Sequence, residues 1–204
     1  MRLTFSILLV TAIAFFGTSC VDSKPIHYYT IGTPSAPVAA SAPAGPTILV
    51  TAVSASTALE DGRIRYRTGT NEVGAYQLHR WMERPGTMVA ISLVHALRAS
   101  GKYRVHESSS SATGDYLLRG KLYEFGEVDS QSIQTRISLQ LELVDLKTKR
   151  GVWDRLVERD EPVDGKKMSD VVQSLDRNLQ AAATEIALEI DKFLTANHAD
   201  AGGR

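Results

Sequence analysis

Cys20 is the only cysteine of the 204-residue chain, and it directly follows Gly17, Thr18 and Ser19. One thiol can build neither a disulfide framework nor a thiolate zinc cluster, so its chemistry is that of a single modifiable nucleophile. Upstream stand Arg2 and an apolar run over 5–16, too short for a permanent membrane span and of the size of a signal-peptide core. The combination reads as a bacterial lipoprotein signal, in which cleavage after Ser19 leaves Cys20 as a lipidated N-terminus carrying a thioether-linked diacylglycerol. Gly17 stands where such signals usually carry Leu, and an ordinary secreted protein cut after Ser19 or an uncut signal-anchor are the other readings of this segment. Acylation would remove an exposed, unpaired thiol from an oxidising compartment. Two or three acyl chains also hold a protein where a single chain is marginal.

Other residue patterns with chemical potential are incomplete. Gly69 and Gly74 have the spacing of a phosphate loop, but Ala75 and Tyr76 occupy the places of its Lys and Ser or Thr, so no triphosphate site follows. His27, His79, His95, His106 and His198 are dispersed without the i, i+4 pairing that chelates a metal on a helix. There is no G-x-S-x-G elbow, and the serines over 108–111 fall in a polar loop, a poor place to preorganise a nucleophile. No catalytic residue, metal ligand or cofactor site is expected. Arg63, Arg65 and Arg67 alternate with Ile64 and Tyr66, which sends three guanidinium groups to one face of a strand. That face is a phosphate-binding stripe or, as is commoner, the solvated side of a half-buried strand.

With 23 Lys and Arg against 23 Asp and Glu, the chain has no net field to attract a polyanion, which argues against nucleic acid as a partner. At 43% hydrophobic residues it can bury one domain core. Five of the seven prolines lie over 25–46, among Gly, Ser and Ala, where little apolar surface could offset ordering entropy. The expected organisation is a signal peptide over 1–19, a lipidated N-terminus and Pro/Ala-rich spacer over 20–46, one domain over 47–195 and a flexible tail over 196–204. Within the spacer, Ile26, Tyr28, Tyr29 and Ile31 could pair as a short edge strand or dock on the domain.

The periodicities from residue 47 onward define the elements that must position any site. A β-branched run over 48–53 reads as a central strand, and 63–67 as a second. Pro85 suits the first turn of a helix, Val89, Leu93 and Leu97 form its stripe, and Gly101 stops it, giving a helix over 85–100. Strands follow over 103–107, 116–125 and 133–143, the last with strict alternation, and 152–159 returns as a hairpin. Val172, Leu175, Leu179, Ala182, Ile186, Ile190 and Phe193 mark a long final helix, with Asp170 and Gln173 as its capping box. The fold class is α+β: an antiparallel or mixed sheet with two main helices packed on one face.

At Tyr66 and Arg67, the run over 69–73, His79, Arg80 and Trp81 with Pro85 beyond, the sequence resembles the ABC-type transport auxiliary lipoprotein family, which includes the paraquat-inducible protein C-like lipoproteins. The likeness runs from Tyr28 and Tyr29 through the final helix, with 64–81 its most specific stretch. It implies a non-catalytic envelope lipoprotein, anchored by lipid in the periplasm-facing side of what would be the outer membrane. Its partners would be an MCE-domain protein and an ABC permease and ATPase, and its cargo lipids or other apolar molecules. A homo-oligomer is compatible with it. Tyr66, Arg67 and Trp81 are the candidate partner-binding residues, and a clamp of core aromatics is the equally weighted alternative. An envelope lipoprotein that regulates or scaffolds a cell-wall or outer-membrane assembly complex would have the same parts.

Replacing Cys20 with Ser is expected to abolish fatty-acid labelling and to release the protein from the membrane fraction. A variant that still labels and sediments wholly with membranes would rule the lipoprotein reading out.

Overall fold

The structure, a computed structural model, describes residues 24–32, 43–108 and 113–202, so the apolar run over 5–16 and Cys20 lie outside the described residues. In chain order the elements are β1 (His27–Tyr29), β2 (Thr47–Val50), β3 (Ser54–Ala55), a 3-10 turn (Thr57–Leu59), β4 (Arg63–Thr68) and β5 (Glu72–Trp81). Then come α1 (Pro85–Ala99), β6 (Arg104–Glu107), β7 (Tyr116–Asp129), β8 (Ile133–Asp145), β9 (Arg150–Pro162) and α2 (Met168–Gly202).

The nine strands form one mixed sheet. β7 and β8 pair antiparallel along their full lengths, and β9 pairs with β8 in the same way, giving the long meander expected from the alternation in β8. The other edge of β7 is shared. β2, β3 and β4 lie along it in turn, all parallel to it, opposite Tyr116 to Leu118, Lys121 and Leu122, and Gly126 to Asp129 respectively. Thr51 N–H to Leu118 O and Ser56 N–H to Leu122 O, both 3.0 Å, carry the ladder across the gaps. Beyond this interrupted strand the sheet forks: β6 flanks β2 on one prong, while β5 and then β1 flank β4 on the other.

The core lies between the sheet and the two helices, which also pack on each other. Ile137, Leu139, Leu141 and Leu143 of β8 and Leu118, Leu122 and Phe125 of β7 meet Leu175, Leu179, Ile186 and Ile190 of α2 and Val89, Leu93 and Leu97 of α1. Gly86 lets α1 begin against the sheet, because a Cβ there would strike the carbonyl of Val53. Three buried polar residues pin α2 to the meander. Asn178 donates to the carbonyls of Thr135 (3.1 Å) and Arg159 (3.2 Å), and the Ser174 and Thr135 hydroxyls lie 2.8 Å apart.

Several expectations change. Residues 72–81 form a strand that periodicity does not reveal, because the pairing of β4 with β5 slips by three residues between Arg63 and Arg65. Gly69 and Gly74 belong to this hairpin: Gly69 turns the chain at φ 60°, and Gly74 leaves room for the Tyr66 ring. Asp170 is not the N-cap of the last helix. The helix begins two residues earlier, and Asp170 reaches back to accept the Lys167 N–H at 3.0 Å, the returning half of a capping box. The helix also continues to Gly202, past the domain limit of 195, through a segment whose alanines favour it. In the spacer, residues 27–29 do form the short edge strand.

Leu179 is sealed between α2 and the sheet. Leu179→Ala is expected to lower the free energy of unfolding by about 2 to 5 kcal/mol, read by denaturant titration. Leu188→Ala, on the solvent side of the same helix, should stay within about 0.5 kcal/mol.

Candidate functional site

Tyr66 and Arg67 are neighbours on β4, so strand alternation sends them to opposite faces, and Trp81 ends β5. Trp81 is inside, 4% exposed, with its ring 5.4 Å from that of Phe125 at an angle of 54°. Its indole N–H has no partner among the described residues, so packing alone holds it. Tyr66 is half-buried and tilts against Tyr76, ring centroids 5.0 Å apart. The Tyr76 hydroxyl donates to Glu127 Oε2 at 2.9 Å, and His79 meets the Tyr76 ring edge-on at 5.8 Å. The row continues onto β1, where the Tyr29 hydroxyl is 2.9 Å from His79 Nδ1 and His27 stacks on His79 at 5.5 Å. Sequence spacing gave no hint of Glu127 or of the pairing of His27 with His79, since both depend on which strands become neighbours.

Burial pushes the Glu127 carboxyl above the ordinary glutamate range, against the opposing pull of the Tyr76 hydroxyl. Burial also raises the Tyr76 phenol, with the Glu127 hydrogen bond adding to it. His79 is held below the usual histidine value, first by burial and then by His27.

Arg67 faces the side of the sheet that bears no helix. It pairs with Glu124 and donates to the carbonyl of Thr70 at 3.4 Å. Arg63 and Arg65 both reach Asp61 Oδ2 at 2.7 Å, and Arg136 grips Asp160 with two bonds of 2.7 Å. The three-arginine stripe is therefore largely compensated, with Arg63 and Arg65 sharing Asp61 and Arg67 on Glu124, as in a solvated outer face whose guanidinium groups are already engaged. Arg65, Arg67, Arg136, Glu124, Tyr123 and Val73 line a pocket of about 60 Å³ there. It is far below the roughly 300–1,000 Å³ of a small-molecule site. A wider hollow of about 700 Å³ on the same side has a mixed lining, with Arg119, Lys121, Glu142 and Asp154 among polar and apolar residues, and Arg119 and Glu142 pair across it at 2.7 Å. Among the described residues no group of three or more His, Cys, Asp or Glu could hold a metal ion.

The model of the ABC-type transport auxiliary lipoprotein component family matches residues 29–187. The chain belongs to this family. The matched stretch begins at the last residue of β1 and ends in α2, so it takes in β2 to β9 with Tyr66, Arg67 and Trp81. No curated protein matches the sequence. Among solved structures the chain is similar to protein XCC0632 from Xanthomonas campestris, of the DUF330 family model, with TM-score 0.74 and 20% identity over 84% of this chain and 98% of that one. A second, an uncharacterized protein, has TM-score 0.66 and 16% identity over 82% and 99%. The hypothetical protein CT253 from Chlamydia trachomatis follows at TM-score 0.51 and 10% identity over 74% and 98%. At these identities the likeness is one of fold.

Two measurements follow from this geometry. Trp81→Ala should cost about 3 to 5 kcal/mol of stability, and Arg67→Ala, which breaks a half-exposed ion pair, no more than about 1 kcal/mol. Glu127 carries a raised folded-state pKa, so the native state holds its proton longer than the unfolded chain. Wild-type stability is thus penalised progressively as pH rises from about 4.3, the unfolded value, through the folded one, and constantly above it. The stability of Glu127→Gln relative to wild type should therefore rise with pH across that window and then level off; a flat difference would refute the assignment.

Proposed function

We propose that the protein is a non-catalytic, membrane-anchored subunit of an MCE-type ABC transport system that moves lipids or other apolar molecules across the cell envelope. Membership of the transport-auxiliary lipoprotein family, over residues 29–187, is the observation that carries this reading. The lipoprotein signal ending at Cys20 supports an anchor, placed by this reading in the outer membrane with the domain facing the periplasm. Energy then comes from the partner ATPase. Here Gly69 and Gly74 shape a hairpin and have no role in holding a nucleotide.

In this reading Arg67 and Tyr66 contribute the contact with the MCE-domain partner, from the two faces of one exposed prong. Arginine and tyrosine are favoured at the centres of interfaces, where they combine apolar area with directed hydrogen bonds. Trp81, buried against Phe125, acts indirectly by holding β5 and with it the hairpin that carries both residues.

Purification from detergent-solubilised envelope is expected to bring down an MCE-domain protein together with a permease and an ATPase. Recovery of cell-wall or outer-membrane assembly proteins in their place would overturn the proposal. Within the complex, Arg67→Ala should weaken partner binding by about 2 kcal/mol, more than its loss of at most about 1 kcal/mol in stability can explain. Trp81→Ala should lose binding only in proportion to the unfolded fraction.

A further inference from the structure

The segment just after Cys20 is shorter than its composition suggests, because much of it is built into the domain. β1 pairs with β5, Ile31 is buried in the core, and Gly32 is held by Asp176 (3.3 Å, from its N–H) and Gln180 (3.2 Å, to its carbonyl). Only residues 21–26 separate Cys20 from the first residue of β1. At 3.3–3.6 Å per extended residue, the Cα of His27 stays within about 25 Å of the Cα of Cys20. With Cys20 acylated, a leash this short keeps the first residue of β1 within about 25 Å of the anchor point.

The β1 edge has a distinctive surface. Ile26, Tyr28 and Met82 are 43%, 56% and 66% exposed. Tyr28 lies opposite Arg80 in the register, while Ile26 stands just before β1 and Met82 just after β5, each two residues along its own chain from that pair. The bond from Met82 N–H to Tyr29 O, 2.7 Å, fixes Met82 beside the strand. Lys24 and Arg84, both exposed, stand two residues along the chain from Ile26 and Met82, Arg80 is half-buried with its Nε enclosed, and none of the three has a carboxylate within 4 Å among the described residues. Arg63, Arg65, Arg67 and Arg136, by contrast, are all paired. Over 24–32 and 79–84 the sequence has a single acid, Glu83.

We infer that Ile26, Tyr28 and Met82, with Lys24, Arg80 and Arg84 beside them, form a membrane-contacting patch that lays the domain against an anionic lipid surface. The inference rests on the reading of Cys20 as the acylated residue. Tyrosine suits the headgroup level, where its ring is apolar and its hydroxyl stays wet. Ile26 and Met82 enter the upper acyl region, and the three cations meet phosphate headgroups. The same contact covers the outer edge of β1, which pairs with nothing but β5 among the described residues.

The test uses the full acylated chain carrying Met82→Cys. Acylation consumes the Cys20 sulfur, so the new thiol is the one available to an environment-sensitive nitrobenzoxadiazole label. In vesicles of phosphatidylethanolamine and phosphatidylglycerol, the label at 82 should shift to the blue and be quenched by doxyl-labelled lipid. The same label at Leu156→Cys on β9 or Leu188→Cys on α2, both exposed elsewhere, should do neither. Phosphatidylcholine vesicles, or Lys24→Glu with Arg84→Glu, should reduce the quenching several-fold while the protein stays anchored. The intact mass reads acylation separately: an unacylated chain overturns the anchor and the patch together. An acylated chain whose label at 82 behaves as it does at 156 and 188 overturns the patch alone. Shielding that arises only when the transport complex is added assigns this edge to a protein, and also overturns it.

Discussion

Everything in this fold is arranged around the two edges of β7. One edge is filled by β8 for the strand's whole length, and the other must be filled too, since unpaired backbone groups in a buried strand are costly. No single element does this. The chain over 47–68 runs along it in three pieces, β2, β3 and β4, with the 3-10 turn looping out between the last two. Because the filling strand is interrupted, its flanks are independent, and the sheet divides into a β6 prong and a β5–β1 prong. The bulge at Tyr123, between Leu122 and Glu124, bends β7 in the same region and re-aims the outer side chains.

A forked sheet needs a brace, and α2 supplies it. Near its start Asp176 and Gln180 hold Gly32, just after β1 on one prong. Further along, Asp191 accepts from Lys102 Nζ at 2.7 Å and from the Tyr103 hydroxyl at 2.8 Å, just before β6 on the other. Those two hydrogen bonds hold the Asp191 carboxyl below its ordinary range. The 15 residues from Asp176 to Asp191 span about 22 Å of helix, so one rigid rod ties both prongs to the meander. Its rotational register is set where apolar packing is least selective: Asn178 and Ser174 can satisfy their donors only against the carbonyls and hydroxyl of β8 and β9.

The parts legible in the sequence are those whose signals are local. The alternation over 133–143 states that β8 has one covered face, and Pro85, the Leu93 and Leu97 stripe and Gly101 delimit α1 to within a residue. The family resemblance carried by Tyr66, Arg67 and Trp81 was equally legible and is matched by the family model. β5 was not, because a three-residue slip destroys its period, and Asp170 misled because a carboxylate in the first helical turn can serve the helix start as well as one at the N-cap. Parallel pairing is silent in sequence: nothing near Glu127 announces Tyr76, and nothing near His79 announces His27. Such contacts arise only after β4 has chosen β7 and β1 has chosen β5.

The pattern of pairing among the charges separates the helix-free side of the molecule into two kinds of surface. Across its middle, Arg63, Arg65, Arg67 and Arg136 share Asp61, Glu124 and Asp160 at contact distance, so most of the charge there is compensated. Such a surface has a reduced long-range field, so a partner docking there would be selected mainly by shape and by its ability to re-form those pairs. At the β1 edge, Lys24, Arg80 and Arg84 have no such compensation, and their field extends over roughly a Debye length, about 8 Å at physiological salt. An extended, laterally uniform anionic surface is recognised by field and apolar depth without fixed register, which is what that edge offers and the paired middle does not. The fork makes the division durable, because the two regions lie on strands joined through β4 and cannot exchange residues without breaking the ladder to β7.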